Sequence, residues 1–190
     1  MEPMLIGIAG KARSGKDSVG WYFKERYKFQ TYAFADPLKK AASEMFGVPL
    51  SSFYDGILKE IVIEEWGFSP RQMIQRLGTE GGRQLFRKDI WTKRAEIEWN
   101  NVQRITIDNC RGLVVTDIRF ENEAEMIRKN GGLVIHIQRD DAQKINSHES
   151  ENGVEFNPSD VIISNNDTIH DLYRRVDDFM MMIEKGEINV

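Results

Sequence analysis

The chain has 190 residues, of which 41% are hydrophobic and four are Trp, enough for one domain with a sizeable core. No apolar run approaches the ~20 residues of a membrane span, and the short run Met4–Ala9 leads straight into a glycine loop, so it reads as a strand and not as a signal peptide. The net charge of −4 argues against a nucleic-acid coat, and a single cysteine, Cys110, excludes an internal disulfide and fits a reducing cytoplasm.

The strand run is followed by Gly10-Lys11-Ala12-Arg13-Ser14-Gly15-Lys16-Asp17-Ser18. This is the spacing of a phosphate-binding loop, with Asp17 where Ser or Thr is expected and the hydroxyl one residue later at Ser18. Two glycines permit backbone angles that turn successive N–H groups onto a phosphate, and the lysine reaches its outer oxygens. The helix that follows aims its positive end at the same charge. Strand, loop and helix occur in the order that the motif requires.

Lys16–Tyr27 reads as that helix, with Val19, Phe23 and Tyr27 inward, and residues 30–34 as a short second strand. Asp36 then caps a helix with Pro37 at its first position and Leu38, Ala41, Ala42 and Met45 as its apolar stripe. It stands at a strand's carboxyl end, where open α/β sheets bind ligands. Residues 48–68 are irregular. Ser69-Pro70-Arg71-Gln72 is a strong helix start, and Gly78-Thr79-Glu80-Gly81-Gly82 interrupts that helix. Arg76 and Arg83 flank the interruption seven residues apart, a spacing that shares one face if helicity resumes. Trp91 and Trp99 fall in a helical stretch over 89–103, where core packing is the commoner role for such residues.

Gly112-Leu113-Val114-Val115-Thr116-Asp117 is a buried parallel strand that delivers a carboxylate beside the loop, with Arg119 two residues on. A helix over 121–130 and a fourth strand over 133–138 follow, His136 being packed within the strand. Residues 139–157 are polar and without apolar period, the composition of a mobile loop. A fifth strand over 161–164 leads to Asn165 and Asn166 and then to a closing helix from Thr168, whose Met180-Met181-Met182 run is core filling. The order of elements predicts one parallel sheet with helices on both faces.

Charge is distributed unevenly along this order. Residues 1–70 hold nine basic and nine acidic side chains, 71–119 ten and six, and 120–190 seven and fifteen. A basic middle beside a phosphate loop predicts a cleft for small anions. A GTPase would need a guanine-reading Asn-Lys-x-Asp, which the chain lacks. A kinase needs a second anion site and a loop that excludes water, and Arg76, Arg83, Arg119 and the Arg139 loop suit that demand.

Taken together, the glycine loop with its Gly-Lys-Asp, Phe34-Ala-Asp-Pro-Leu-Lys39, Leu77-Gly-Thr-Glu-Gly-Gly-Arg83, Val115-Thr-Asp-Ile-Arg-Phe120 and His148-Glu-Ser-Glu151 resemble the bacteriophage deoxynucleoside monophosphate kinases over residues 4–180. Phosphomevalonate kinases are similar at Gly-Lys-Asp and Asp-x-Arg. The resemblance implies a single P-loop kinase domain with sheet order 2-3-1-4-5, a helical substrate-binding insert near 48–110 and a lid loop near 139–158. It implies transfer of the ATP γ-phosphoryl to a deoxynucleoside monophosphate in the cytoplasm, with Mg²⁺, no nucleic-acid or membrane partner, and room for a homodimer. Gly10, Lys11, Ala12, Arg13, Ser14, Gly15 and Lys16 would cradle the ATP phosphates, and Asn165 and Asn166 would border the adenine. Asp17, Ser18 and Asp117 would hold Mg²⁺. Asp36, Lys39, Arg76, Arg83, Trp91, Arg119, Glu149 and Glu151 would take the acceptor, and Arg139 would close on the moving phosphoryl; Lys16, Asp36, Asp117 and Arg139 form the catalytic set. A kinase of another phosphorylated metabolite, such as phosphomevalonate or dephospho-coenzyme A, and a non-catalytic nucleotide-binding assembly or regulatory protein stand as alternatives.

Overall fold

In the computed structural model, which describes residues 2–104, 110–141 and 153–188, strands β1 (Met4–Ala9), β2 (Gln30–Tyr32), β3 (Gly112–Ile118), β4 (Leu133–Gln138) and β5 (Val161–Ser164) form one sheet. Its order is β2-β3-β1-β4-β5 and every pairing is parallel, as the resemblance implies. Parallel neighbours need crossover connections, and helices supply them: α1 (Lys16–Tyr27) follows β1 and, after α2 to α5 described below, α6 (Glu121–Lys129) joins β3 to β4. The closing α7 (Ile169–Glu184) starts with Thr168 accepting from the Asp171 amide and Asp171 reaching back to the Thr168 amide.

The chain divides into two compact units, Met1–Ala33 with Arg94–Val190, and Phe34–Lys93. The first contains the sheet. Its apolar core joins Ile6 and Ile8 of β1 to Ile135 and Ile137 of β4, Val19 and Phe23 of α1, and Leu172, Val176, Phe179 and Met180 of α7. Full burial of a side chain such as Phe23 contributes about 2–3 kcal/mol, so this cluster dominates the stability of the unit. Only Met180 of the methionine run takes part. Met181 and Met182 are 47% and 41% exposed, because consecutive residues of a helix cannot share its inner face.

The second unit is helical: α2 (Ala35–Phe46), α3 (Ser51–Tyr54), a 3-10 turn (Leu58–Glu60), α4 (Pro70–Arg76) and a π-helix (Leu77–Phe86). From it α5 (Ile90–Arg104) runs into the first unit along the chain. Ala42, Val48, Phe53 and Met73 form its core, with Phe46 and Leu77 packed against it. Ser69 caps α4 as expected, with reciprocal bonds to Gln72 of 3.3 and 2.9 Å.

Four local expectations are corrected. Strand β2 stops at Tyr32, and Phe34 instead precedes α2 as a buried residue. Asp36 lies inside the first turn of α2 and does not cap it; its carboxylate binds Lys39 and Tyr54. The stripe of α2 runs through Leu38, Ala42 and Phe46, four residues apart, leaving Met45 62% exposed. Residues 78–82 do not break the helix: the chain continues through them as a π-helix, which glycines permit at low steric cost. Among the described residues no helix is long and apolar enough to cross a membrane.

The buried His136 is packed, as expected, with its Nε2 2.9 Å from Oδ2 of Asp160. Arg128 donates to both oxygens of Asp160 at 3.0 and 2.7 Å, and the Asn157 amide adds a bond of 2.9 Å. Burial pushes the Asp160 carboxyl up, but the donors from Arg128, Asn157 and His136 outweigh it and hold the group below its ordinary value. A depressed carboxyl stabilises the fold fully above its unfolded value of 3.8 and loses that contribution as pH falls through the folded value. Asp160→Asn should therefore cost about 3 kcal/mol at neutral pH. Urea titration would register this as a lower midpoint, and the variant's stability should fall less steeply than the wild type's below about pH 4.

Candidate active site

The loop after β1 is shaped by two residues with left-handed backbones, Arg13 (φ 62°) and Gly15 (φ 105°). Gly15 is the N-cap of α1, and a Cβ there would lie 2.5 Å from Nδ2 of Asn165. That amide nitrogen donates instead to the Ser14 carbonyl at 2.8 Å. Asn165 is buried at the end of β5, so this bond fixes the loop from the far side of β4. Lys16 arches back over the loop and donates to the carbonyls of Gly10 and Lys11, each at 2.7 Å. Ser14 Oγ is buried without a hydrogen-bond partner among the described residues. An orphaned buried hydroxyl costs about 1–3 kcal/mol, and an anion seated on the loop would relieve it. Asp17 is exposed in the first turn of α1, where a negative charge is favourable, and Ser18 is half-buried.

The end of β3 supplies the opposite wall. Asp117 is 9% exposed there. Beyond it, the buried carboxylate of Glu123 accepts from the amides of Arg119 and Phe120 at 2.9 and 3.2 Å, locking the turn that carries Arg119. Glu123 was not foreseen, although an acid at the third position of a helix that follows a functional turn is a recognisable signal. Burial pushes the Tyr32 phenol up, with Arg94 opposing and the charge of Asp117 adding. Gly10, Lys11, Ala12 and Lys16 line one side of a small open cleft; Ile118 and Arg119 line the other, with Gly153 at its edge.

At the end of β4, Arg139 is engaged in a two-bond pair with Asp141 at 2.5 and 3.0 Å, which raises the pKa of Arg139 and lowers that of Asp141. Asn166 is bonded to Asp140 through both ends of its amide. Glu149 and Glu151, and most of the expected lid, lie outside the described residues.

Within the second unit, Lys39 Nζ and the Tyr54 hydroxyl both donate to Oδ1 of Asp36 at 3.0 Å, and Lys39 stands 4.0 Å over the Tyr54 ring. The Arg76 guanidinium lies 4.3 Å over the ring of Phe68, and the residue is exposed and meets no carboxylate among the described residues. Arg83 is carried by the π-helix. A π-helix bonds i to i+5 and turns less per residue than an α-helix, so the seven-residue spacing from Arg76 no longer places the two on one face. Trp91 donates to the Gly78 carbonyl at 2.9 Å, and its ring fills the space a Cβ at Gly82 would need, 2.5 Å away.

A parallel sheet of order 2-3-1-4-5, with a glycine–lysine loop leaving its middle strand and an acid–arginine pair ending the next, defines a P-loop nucleotide-binding protein of the kinase type. The chain matches the sequence pattern described as Deoxynucleotide monophosphate kinase over residues 4–52 and 49–176. A protein of Acanthamoeba polyphaga mimivirus, provisionally called a deoxynucleotide monophosphate kinase, is 32% identical over 183 residues, covering 91% of this chain and 94% of its own. The deoxynucleoside-5′-monophosphate kinase of Escherichia phage T5 is 43% identical over 65 residues, 34% of this chain and 24% of the phage protein. Dephospho-CoA kinase from Campylobacter jejuni superposes with a TM-score of 0.48 at 15% identity, covering 96% of this chain and 98% of that one. The chain belongs to the deoxynucleotide monophosphate kinase family, and so to the ATP-dependent phosphotransferases.

The contact between Gly15 and Asn165 makes a direct test of the cradle. Gly15→Ala forces a side chain into a left-handed backbone, a cost of about 1–3 kcal/mol, and against a buried amide. Calorimetric titration with ATP should show affinity at least about tenfold weaker.

Proposed function

We propose that this protein transfers the γ-phosphoryl group of ATP to a deoxynucleoside 5′-monophosphate, giving ADP and the deoxynucleoside diphosphate for DNA synthesis. The observation that carries this reading is the cleft in which Lys16 and the loop meet Arg119 from the end of β3. It brings together two fixed positive groups, one suited to a triphosphate and one to a second anion. Membership of the family supports the monophosphate as that anion.

ATP would bind with its phosphates on the loop amides and the orphaned Ser14 hydroxyl, and Lys16 would exchange its two carbonyl partners for phosphate oxygens. Arg119 would grip the acceptor phosphate, since a guanidinium fork matches its oxygens in geometry and charge. Arg76, Arg83 and Asp36 of the second unit would also take part in holding the acceptor, the arginines by its charge and Asp36 on its nucleoside part. Trp91 is given a supporting place, since its indole shapes the π-helix that carries Arg83. Arg139 must leave Asp141 to reach the moving phosphoryl, and the pair is solvent-exposed and so weakly held.

The oxygen donors Asp17, Ser18 and Asp117 suit Mg²⁺, which is commonly held by one or two carboxylates together with substrate phosphates. When bound, the ion would neutralise charge on the β- and γ-phosphates. No residue need deprotonate the acceptor, because a phosphate monoester is already anionic; positioning and charge neutralisation suffice. The single cysteine and the phage and viral relatives support action in the cytoplasm of an infected cell.

A coupled ADP-release assay across deoxynucleoside monophosphates tests the reaction: acceptor-dependent ADP is expected, and activity only with a non-nucleotide acceptor would refute it. Lys16→Ala should abolish transfer while leaving the thermal midpoint in place, and a fully active variant would rule out the loop's role. Arg119→Ala should raise the KM for the monophosphate about 10- to 100-fold, the loss of one to two charged hydrogen bonds, with little change for ATP. A rise confined to the ATP KM would reassign that arginine.

A further inference from the structure

Asp36, Lys39 and Tyr54 form a closed triangle within the second unit. Lys39 Nζ is 3.0 Å from Oδ1 of Asp36, the Tyr54 hydroxyl is 3.0 Å from the same oxygen, and the Lys39 ammonium lies 4.0 Å from the Tyr54 ring centroid. Both donors thus converge on Oδ1, and Oδ2 accepts no bond from the described residues. The Asp36 side chain is 40% exposed and that of Lys39 only 16%. The open oxygen therefore belongs to the accessible partner and the satisfied ammonium to the covered one.

We infer that Tyr54 is a positioning residue for the acceptor nucleotide: with Lys39 it fixes the Asp36 carboxylate so that Oδ2 accepts a hydrogen bond from the sugar hydroxyl of the deoxynucleoside monophosphate. This rests on the acceptor role given to Asp36 above. The acceptor's phosphate is excluded as the partner of Oδ2, because two anionic oxygens repel. Lys39 is equally unsuited to hold that phosphate, since its side chain is only 16% exposed and is covered by the Tyr54 ring. What a carboxylate oxygen accepts is an O–H or N–H donor. Donors on the base differ from base to base, whereas every deoxynucleoside monophosphate carries the same free sugar hydroxyl.

Lys39 cannot fix the carboxylate alone. It sits three residues from Asp36 on the same helix, and an ammonium on a flexible stem has no directional fork. Tyr54 approaches from α3, a separate element, with a rigid side chain, so its bond removes the rotation that Lys39 leaves. Burial and the neighbouring Asp36 charge push the Tyr54 phenol up to about 12, which keeps the hydroxyl a donor at neutral pH.

Tyr54→Phe tests this, because it retains the ring over Lys39 and removes one hydroxyl from a half-exposed side chain. The acceptor is the deoxynucleoside monophosphate turned over best in the ADP-release assay, compared with its 2′,3′-dideoxy analogue. The variant should show a KM for the deoxynucleotide raised about fivefold, as befits one lost hydrogen bond to a charged group. Its KM for ATP and its thermal midpoint should be unchanged. With the dideoxy analogue, wild type and variant should have equal KM values. A wild-type KM for the deoxynucleotide, or an equal loss on the dideoxy analogue, would overturn the proposal. Asp36→Ala separates the two levels: if its monophosphate KM is that of the wild type, the acceptor role of Asp36 falls with the proposal. If that KM rises while Tyr54→Phe behaves as wild type, only the role of Tyr54 is lost.

Discussion

The site depends on how the chain leaves β1. That strand is hydrogen-bonded on both sides, to β3 and β4, and its last five residues are buried. A chain emerging from such a strand must reverse direction within a few residues, and its next backbone amides lose their ladder partners. The left-handed backbones at Arg13 and Gly15 answer both demands, turning the chain back and starting α1. The curl would be soft without a tie, and Asn165 provides it. Its amide crosses from the end of β5 to the Ser14 carbonyl, so that the outer strand on one side holds the loop rigid. On the other side β3 brings Asp117 and Arg119, with the buried Glu123 fixing the turn between them and α6.

Three cations that the proposed mechanism uses are each engaged by another group in the free protein. Lys16 is held by two carbonyl oxygens, Arg139 by a neighbouring exposed carboxylate, and Arg76 by an aromatic face. An exposed ion pair and a cation–π contact are weak in water, so they hold a long side chain without committing it. A phosphate oxygen would offer each of them a charge-assisted hydrogen bond. The Arg128–Asp160–His136 cluster is the contrast. There the carboxylate is buried and takes donors on both oxygens, which suits it to holding β4 and α6 to the segment before β5 and not to binding.

The parallel sheet and the glycine loop were legible in the chain because both leave local signatures: continuous apolar runs for strands buried on both faces, and a fixed glycine–lysine spacing for the loop. The Ser69 cap was legible for the same reason, since its reciprocal partner lies three residues away. What could not be read were relations between distant residues. Asn165 appeared as a polar residue at a strand end, a place suited to the adenine; nothing local reveals its bond to Ser14, 151 positions back. Asp36 followed by proline has the form of a helix cap, but Lys39 and Tyr54 draw its side chain into another use. The glycines at 78–82 signal a departure from the α-helix without saying which departure.

That last feature has a consequence for how the chain tolerates change. In the π-helix each turn accommodates one residue more than in an α-helix, so the direction in which Arg83 points is set by a count of residues as much as by their chemistry. Shortening residues 77–86 by a single position would let the segment wind as an ordinary helix and swing everything beyond the deletion by about 100°. The indole of Trp91 would then lose both the carbonyl and the bare glycine it rests on. Surface loops usually absorb insertions and deletions, whereas a change of length here would re-aim every side chain that follows.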